Sequence, residues 1–449
     1  MERESSGPPP TAVVETTLIS LISLGIRVSQ GIGYFPLSIV KSKNGYKFAF
    51  NRCSFPLICS FSIIACQLFL IILWYSSFVD TMVLMGLHRS TEVISFIVTG
   101  TLIAFQTVFK RVSFIFKHQL VINRWGNFIT DLTRISSSDK DGNFRISIDP
   151  CAKHCEIFTR VKTSVRNTVL GSMIFILVMM SQIVGGFLLF SIPAKRPNIQ
   201  TGLNMMGIIP VVSWSVMGAV NVFQSLFVTF PIQVVNACLE MIDTEMGHVC
   251  GNVEDWEENL IIAETEKTET IIDPQAVKVS PLIVVDEKKL HLCISNYHLL
   301  IKILQRYNAS SANLITFEIT YNSMLILTYL FIGFTWISTG EINAALSRLI
   351  PLVLCVKIIY HMGTEAGKVE INQRKILRKF CHIPRQVLSP EMRDRVSSII
   401  HELSGDALKI EPDSFFTLNR RLMTSILSTV LTFLVVLIQF RDGERRKSD

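Results

Sequence analysis

Seven apolar stretches, each of about 18 residues or more, dominate this sequence of 449 residues. A helix needs about 20 apolar residues to cross the roughly 30 Å hydrocarbon core of a bilayer, so each stretch is a candidate membrane span. They cover residues 55–78, 92–109, 167–190, 203–235, 313–337, 344–362 and 415–440. The fold class predicted from this pattern is an all-α, polytopic membrane protein with seven transmembrane helices.

The composition agrees with a chain that lies largely in lipid. Charged residues make up 18% of the sequence and hydrophobic residues 49%, whereas a typical soluble domain carries about 25% charge. An eighth apolar stretch, residues 13–35, is interrupted by Arg27 and Gln30. We predict that it forms an amphipathic helix against the membrane or the bundle rather than another span.

The loops between the spans differ strongly in positive charge. Of the 43 Lys and Arg residues, about 33 fall on the N-terminal side of the membrane and about 7 on the opposite side. Cytoplasmic loops carry the excess of Lys and Arg, which predicts that the N-terminus lies inside. Seven crossings then place the C-terminus outside.

The spans and loops divide the chain into seven predicted regions. Between the spans lie an acidic loop and two segments with apolar residues at helical spacing, which are separated by Pro384 and Pro390. The regions are a cytosolic N-terminus with its amphipathic helix (1–54), spans one to four (55–239), a cytosolic acidic loop with a helical extension (240–310), spans five and six (311–362), cytosolic anchor helices (363–412), span seven (413–440) and an extracellular tail (441–449).

The last span carries a polar stripe. Ser425, Thr432 and Gln439 follow one another at intervals of seven residues, which places them on nearly the same helix face. Small hydroxyl residues and an amide in a span are typical of tight helix packing. The same stripe also suits the lining of a pore, which requires several copies of the chain around a symmetry axis.

The two ends of the sequence resemble a known family. Thr432 and Phe433, five apolar residues, then Gln439 and Phe440 resemble the C-terminal motif of insect gustatory receptors. The N-terminal stretch around Gly33 and Pro36 resembles a segment of the same family. The sequence departs from the family at Phe433, where a Tyr is usual. It also has Leu434 where sugar-tuned members often carry an acidic residue, which disfavours a conventional sugar ligand.

The resemblance implies a taste receptor that is a ligand-gated, non-selective cation channel. Such a receptor is a homo- or hetero-tetramer with other gustatory receptors, embedded in membrane lipid at the plasma membrane of a sensory neuron dendrite. Its last span lines a central pore and a small-molecule tastant opens it. By this resemblance the gate is formed by Gln439 and Phe440, with Thr432 and Phe433 next to it. Ser425 and Val436 complete the predicted pore set.

Candidate ligand-binding residues are chosen by position alone, on the predicted external halves of the spans. Aromatic walls with a few hydroxyl and amide groups suit a small polar ligand. Trp336 is also a candidate interfacial anchor, and Arg348 is equally suited to snorkelling or to pairing with Glu341. The candidates are Gln182, Trp214, Asn221, Tyr329, Thr335, Trp336 and Arg348.

Other classes of function find little support in the sequence. The CAKHC stretch at 151–155 matches no standard zinc spacing, and we find no phosphate loop or nucleophile motif. We therefore expect no metal, no cofactor, no enzyme activity and no nucleic-acid partner. Two alternatives stay open, a seven-span G-protein-coupled receptor and a solute transporter.

The predicted orientation separates the channel from the G-protein-coupled receptor. We expect an epitope tag placed before Met1 to bind antibody only after the cells are permeabilised, and a tag placed after Asp449 to bind it on intact cells. A receptor coupled to G proteins has the opposite arrangement. Labelling of the N-terminal tag on intact cells would therefore overturn the orientation.

Overall fold

The computed structural model describes most of the helical framework of the chain. The described residues are 26–30, 35, 37–42, 45–51, 54–76, 225–247, 249, 285–338, 340, 342–405, 408–412 and 415–448, with shorter stretches between 94 and 131 and between 156 and 177. Three of the predicted ligand-binding residues, Gln182, Trp214 and Asn221, lie outside them, as does most of the predicted acidic loop.

A short β-hairpin precedes the first long helix. Strand Ser38–Ser42 pairs antiparallel with Gly45–Ala49, and Ser42 stands opposite Gly45. Neighbouring β-branched residues in the first strand favour an extended backbone, and a turn-forming Asn precedes the second strand in the sequence. The hairpin is the one departure from all-α secondary structure in the part of the chain that the structure describes.

Long helices account for the rest of the described architecture. Four of them are long and apolar enough to cross a membrane, and Phe55–Phe69 is a shorter apolar helix. A single turn of 3-10 helix, Arg385–Val387, lies between two of them. The helices are Phe55–Ser76, Ser225–Gly247 (the fourth-span helix), Glu287–Ser338 (the fifth-span helix), Ile342–His382 (the sixth-span helix), Pro390–Gly405 and Arg420–Ser448 (the last helix).

Two of these helices are far longer than a bilayer is thick. At 1.5 Å per residue, the 52-residue fifth-span helix measures about 78 Å and the 41-residue sixth-span helix about 62 Å. Each continues a predicted span into a predicted cytosolic segment without a break. The first predicted anchor helix is therefore the end of the sixth-span helix, which finishes at His382 before Pro384. Pro390 then begins the separate helix Pro390–Gly405.

The extensions of the long helices share one hydrophobic core. Apolar side chains of the fourth-, fifth- and sixth-span helices pack there with those of Pro390–Gly405. The Tyr307 hydroxyl donates to the Val228 carbonyl over 2.7 Å, which satisfies a buried polar group inside this core. Fully buried members of the core include Leu290, Leu300, Ile315, Met362, Val369, Ile376 and Val396.

The fourth-span helix lies at the centre of the molecule and the last helix at its edge. Of the residues in the apolar window of each helix, 94% are buried for the former and 11% for the latter. Polar bonds also hold the central helix. Asn236 donates to the Glu365 carbonyl over 2.8 Å, and Gln233 donates to the Ser164 hydroxyl over 3.0 Å.

The last helix begins and ends differently from the predicted span. It begins at Arg420, where the Asn419 side chain accepts a hydrogen bond from the Leu422 N–H over 3.1 Å and caps the first turn. It continues through Ser448, beyond the predicted end at Phe440. The predicted tail is helical because no Pro or second Gly follows Gly443 to stop the helix.

The beginning of the last helix approaches the sixth-span helix closely at Gly363. A Cβ atom at this position would lie 3.0 Å from the Asn419 carbonyl oxygen. We expect Gly363→Ala to lower the stability of the detergent-solubilised protein by about 1–3 kcal/mol, because the backbone of Asn419 must give way. The readout is the melting temperature measured by fluorescence-detected size exclusion.

Gly367, one turn further on the same helix, supplies the matched control. A Cβ atom there meets nothing within 4 Å, so Gly367→Ala gains helix propensity of up to about 1 kcal/mol and should not lower the melting temperature. Equal melting temperatures for the two variants would show that the crossing at Gly363 tolerates a side chain.

Candidate functional site

The last helix presents two chemically different faces. Its residues that are buried or half-buried against the chain's own helices recur every three or four positions. This spacing marks one stripe along the helix, because 3.6 residues make a turn. The stripe consists of Met423, Ile426, Leu427, Val430, Leu434, Leu437, Ile438 and Arg441, and the half-buried Leu422 lies at its edge.

All six predicted pore residues lie on the exposed remainder of this helix. At 100° per residue, Ser425, Thr432 and Gln439 fall within about 40° of one another, and Val436 extends the same strip to about 60°. Phe433 and Phe440 flank the strip on one side and are exposed by 55% and 64%. The strip is almost diametrically opposite the buried stripe. The structure therefore brings together the polar residues that the seven-residue spacing predicted.

Hydroxyl groups on this helix satisfy part of their hydrogen bonding within it. Thr432 donates to the Ser428 carbonyl and Thr429 to the Ser425 carbonyl, both over 3.0 Å. Such bonds to the preceding turn are how Ser and Thr reside in apolar surroundings. The hydroxyl oxygens still accept hydrogen bonds, and the exposed Gln439 amide both donates and accepts. The strip is consequently able to contact water.

The structure places three of the seven predicted ligand-binding residues together. Tyr329, Thr335 and Trp336 are buried on the C-terminal half of the fifth-span helix. Tyr329 belongs to a small apolar cluster with Cys355 of the sixth-span helix and Val430 of the last helix. Arg348 lies in the sixth-span helix, but its side chain lies outside the described residues, as do the complete residues Gln182, Trp214 and Asn221.

A buried carboxylate inside the fifth predicted span was missed by the sequence analysis. Glu318 is 0% exposed, and the Asn322 amide donates to its carboxylate over 3.2 Å and to its carbonyl over 2.8 Å. An ionisable residue in a span is a functional candidate by default. The presence of Glu318 within an apolar stretch could therefore have identified this position from the sequence.

A second polar contact inside the bundle joins the first long helix to the helical stretch after span two. The Arg111 guanidinium donates to the Gln67 side chain over 2.5 Å, and Arg111 is 1% exposed. Isolated charge is too costly to bury, so an Arg at this depth needs hydrogen-bonding partners. Gln67, 44 residues earlier in the chain, is one such partner.

A third such contact involves Arg441, which comes directly after the predicted gate residues. Arg441 donates to the Ser338 hydroxyl, and its guanidinium carbon lies 5.9 Å from the centre of the Phe334 ring. Both partners lie in the last two turns of the fifth-span helix. The C-terminal ends of the two helices are therefore joined through one buried charge.

Comparison with known proteins assigns this architecture to a family. The family described as 7tm chemosensory receptor matches residues 22–444. The chain belongs to that family. The receptor is thus a multi-pass membrane protein of a class of chemosensory receptors and not of a class of enzymes. A comparison with curated protein sequences gave no match.

Solved structures show the same fold for the receptor. The insect olfactory receptor OR5 from Machilis hrabei in complex with eugenol superposes with a TM-score of 0.62 at 12% sequence identity, covering 95% of this chain and 99% of that one. The structure of OR5 described without eugenol gives a TM-score of 0.59 at 11% identity, with the same coverage. The resemblance to an insect chemoreceptor family and the polytopic helical fold are thereby confirmed.

The buried tryptophan at the end of the fifth-span helix gives a test of the predicted ligand site. If the predicted site is correct, we expect Trp336→Ala to raise the ligand concentration for half-maximal receptor response by about tenfold or more, because an aromatic wall is lost. Ile337→Ala is the control, since the neighbouring Ile337 is 61% exposed. Trp336→Phe retains a ring and should fall between them. Equal responses of all three variants would exclude Trp336 from the ligand site.

Proposed function

We propose that this chemosensory receptor is a gustatory receptor that acts as a ligand-gated, non-selective cation channel. The observation that carries the proposal is the two-faced last helix, with a polar strip exposed opposite its buried stripe. An exposed strip containing Ser425, Thr432 and Gln439 is poorly suited to lipid. It is well suited to a water-filled conduit shared with other copies of the chain.

The channel proposed here is a homo- or hetero-tetramer. One helix cannot enclose a pore, so identical or similar chains must surround an axis to which each contributes its last helix. The large exposed apolar residues beside the strip, such as Phe433 and Val435, are available to the neighbouring chains. Such a tetramer would reside in the plasma membrane, and by family resemblance in a sensory neuron dendrite.

Opening follows from differential binding. A tastant that contacts the fifth-span helix near Tyr329, Thr335 and Trp336 shifts the equilibrium only if it binds the open arrangement better than the closed one. Of these three residues, Tyr329 packs in the same apolar cluster as Val430 of the last helix. A displacement of the fifth-span helix can therefore be transmitted to the last helix through these packed side chains.

The ligand class is tested by calcium imaging of cells that express this chain alone. The panel contains bitter compounds, fructose and other sugars, and a volatile phenol such as eugenol, which is bound by the structurally similar OR5. We expect responses to non-volatile tastants. Responses confined to volatile compounds would support an olfactory role instead, and responses that require a G protein would contradict direct gating.

The gate assignment is tested at Gln439. We expect Gln439→Ala to change both the tastant response and the relative permeability of Na⁺, K⁺ and Ca²⁺, because its amide lines the proposed conduit. Permeability is measured from reversal potentials under bi-ionic conditions. Leu437→Val, on the opposite and half-buried face of the same turn, is the control and should leave permeability unchanged. An unaltered response and permeability in Gln439→Ala would remove this residue from the gate.

A further inference from the structure

The contact made by Arg441 is unexpected for its place on the helix. The buried stripe of the last helix is apolar at Met423, Val430 and Leu437, and Arg441 continues the same stripe with a charge. Arg441 is only 2% exposed. An Arg near the end of a span ordinarily extends its long side chain towards water. Here it is turned instead against the fifth-span helix.

The partners of Arg441 match the chemistry of a guanidinium group. One guanidinium nitrogen, Nη2, donates to the Ser338 hydroxyl, and the guanidinium carbon lies 5.9 Å from the centre of the Phe334 ring. Ser338 in turn donates to the Thr335 carbonyl over 2.7 Å. A chain of contacts consequently runs from the Thr335 turn of the fifth-span helix to Arg441.

Most of the last helix is exposed on the single chain. Only 11% of the residues in its apolar window are buried, and its first turn is fixed by the close crossing of Asn419 and Gly363. Arg441 is one residue beyond Phe440 and two beyond Gln439, a rise of about 1.5–3 Å along the axis. A helix is stiff over so short a distance, so the position of Arg441 sets the position of both side chains.

We propose that Arg441 is a positioning residue that couples the C-terminal end of the fifth-span helix to the gate end of the last helix. Through the Ser338 hydroxyl and the Phe334 ring, it converts a displacement of the Thr335–Trp336 turn into a displacement of Gln439 and Phe440. This role rests on the proposed channel function and deepens it. Arg441 itself contacts neither the ligand nor the permeating ion, because it lies on the opposite face from Gln439.

A double-mutant cycle between Arg441 and Ser338 tests the coupling. Arg441→Met, Ser338→Ala and the double variant are compared with the unmodified chain for half-maximal tastant concentration, with surface expression measured by biotinylation. We expect each single change to shift that concentration about tenfold, the effect of losing one hydrogen bond to a charged group. The double variant should shift it no further than the larger single change, because both remove the same contact.

Two further variants separate contact from charge. Arg441→Lys keeps the positive charge but loses the guanidinium group that donates to Ser338 and lies beside the Phe334 ring. Its shift should therefore resemble that of Arg441→Met. Asp442→Asn changes the charge at the next, exposed position and should shift nothing. Bi-ionic reversal potentials should be unchanged in every variant. A substitution of a residue that lines the conduit would alter them. Ser338→Ala is a small change that keeps the test valid if Arg441→Met fails to reach the surface.

Several outcomes would overturn the proposal. Shifts that multiply in the double variant would show that Arg441 and Ser338 act independently, and the absence of any shift would remove the coupling. Altered reversal potentials would place Arg441 on the ion path instead. If the unmodified chain passes no current with any tastant, the channel function fails and the coupling role fails with it. If the unmodified chain does pass current but the Arg441 and Ser338 variants show no shift or independent shifts, only the coupling role is rejected.

Discussion

The hydrocarbon core of the bilayer offers no hydrogen bonds, and this constraint governs the structure. Each backbone N–H and C=O group in a span must be satisfied within its own segment, which makes helices the available solution. The fifth-span helix, Glu287–Ser338, shows how the chain uses them. It is a continuous rod that crosses the membrane region and continues into the core shared with Pro390–Gly405. Its two ends are thus linked without a flexible joint.

The same constraint gives meaning to the polar side chains of the bundle. Glu318 with Asn322, Arg111 with Gln67 and Arg441 with Ser338 each form a buried contact within one chain. Burying a polar group without a partner costs roughly 2–7 kcal/mol. The contacts of Arg111 and Arg441 each join two helices and therefore help to fix how those helices pack. Gln439 is different, since it is exposed on the single chain. Its amide is therefore available to a partner outside the chain's own helices.

The linkage of the last helix has two distinct ends. At its first turn, the backbone of Asn419 lies close to Gly363 of the sixth-span helix. This is a purely steric contact, made possible by the missing side chain of glycine. At its far end, Arg441 meets Ser338 and Phe334 through charge, hydrogen bond and ring. The close crossing at Gly363 leaves little room for the two backbones to move relative to each other. The long Arg441 side chain, in contrast, can keep its hydrogen bond while the two helices shift. The arrangement suits a helix that pivots at one end and is driven at the other.

Sequence patterns predicted much of this framework for a simple reason. Apolar length and helical spacing record the solvent that each residue meets. They allowed the fourth- to sixth-span helices, the breaks at Pro384 and Pro390 and the common helix face of Ser425, Thr432 and Gln439 to be predicted. The hairpin of Ser38–Ser42 and Gly45–Ala49 was missed. The N-terminal region was interpreted from its long apolar stretch, and the short strand pattern that follows this stretch was not considered.

By itself, the sequence determined that the chain is a polytopic helical membrane protein with a polar strip on its last helix, because residue periodicity reports a boundary between solvents. Only the tertiary structure decided which side chains meet across that bundle. Ser338 and Arg441 are 103 residues apart, and no periodicity links them. Their contact arises because the two helices lie side by side near their C-terminal ends. In the low-dielectric space between them an unpaired charge is costly, so the buried Arg441 is stable only with a hydrogen-bonding partner.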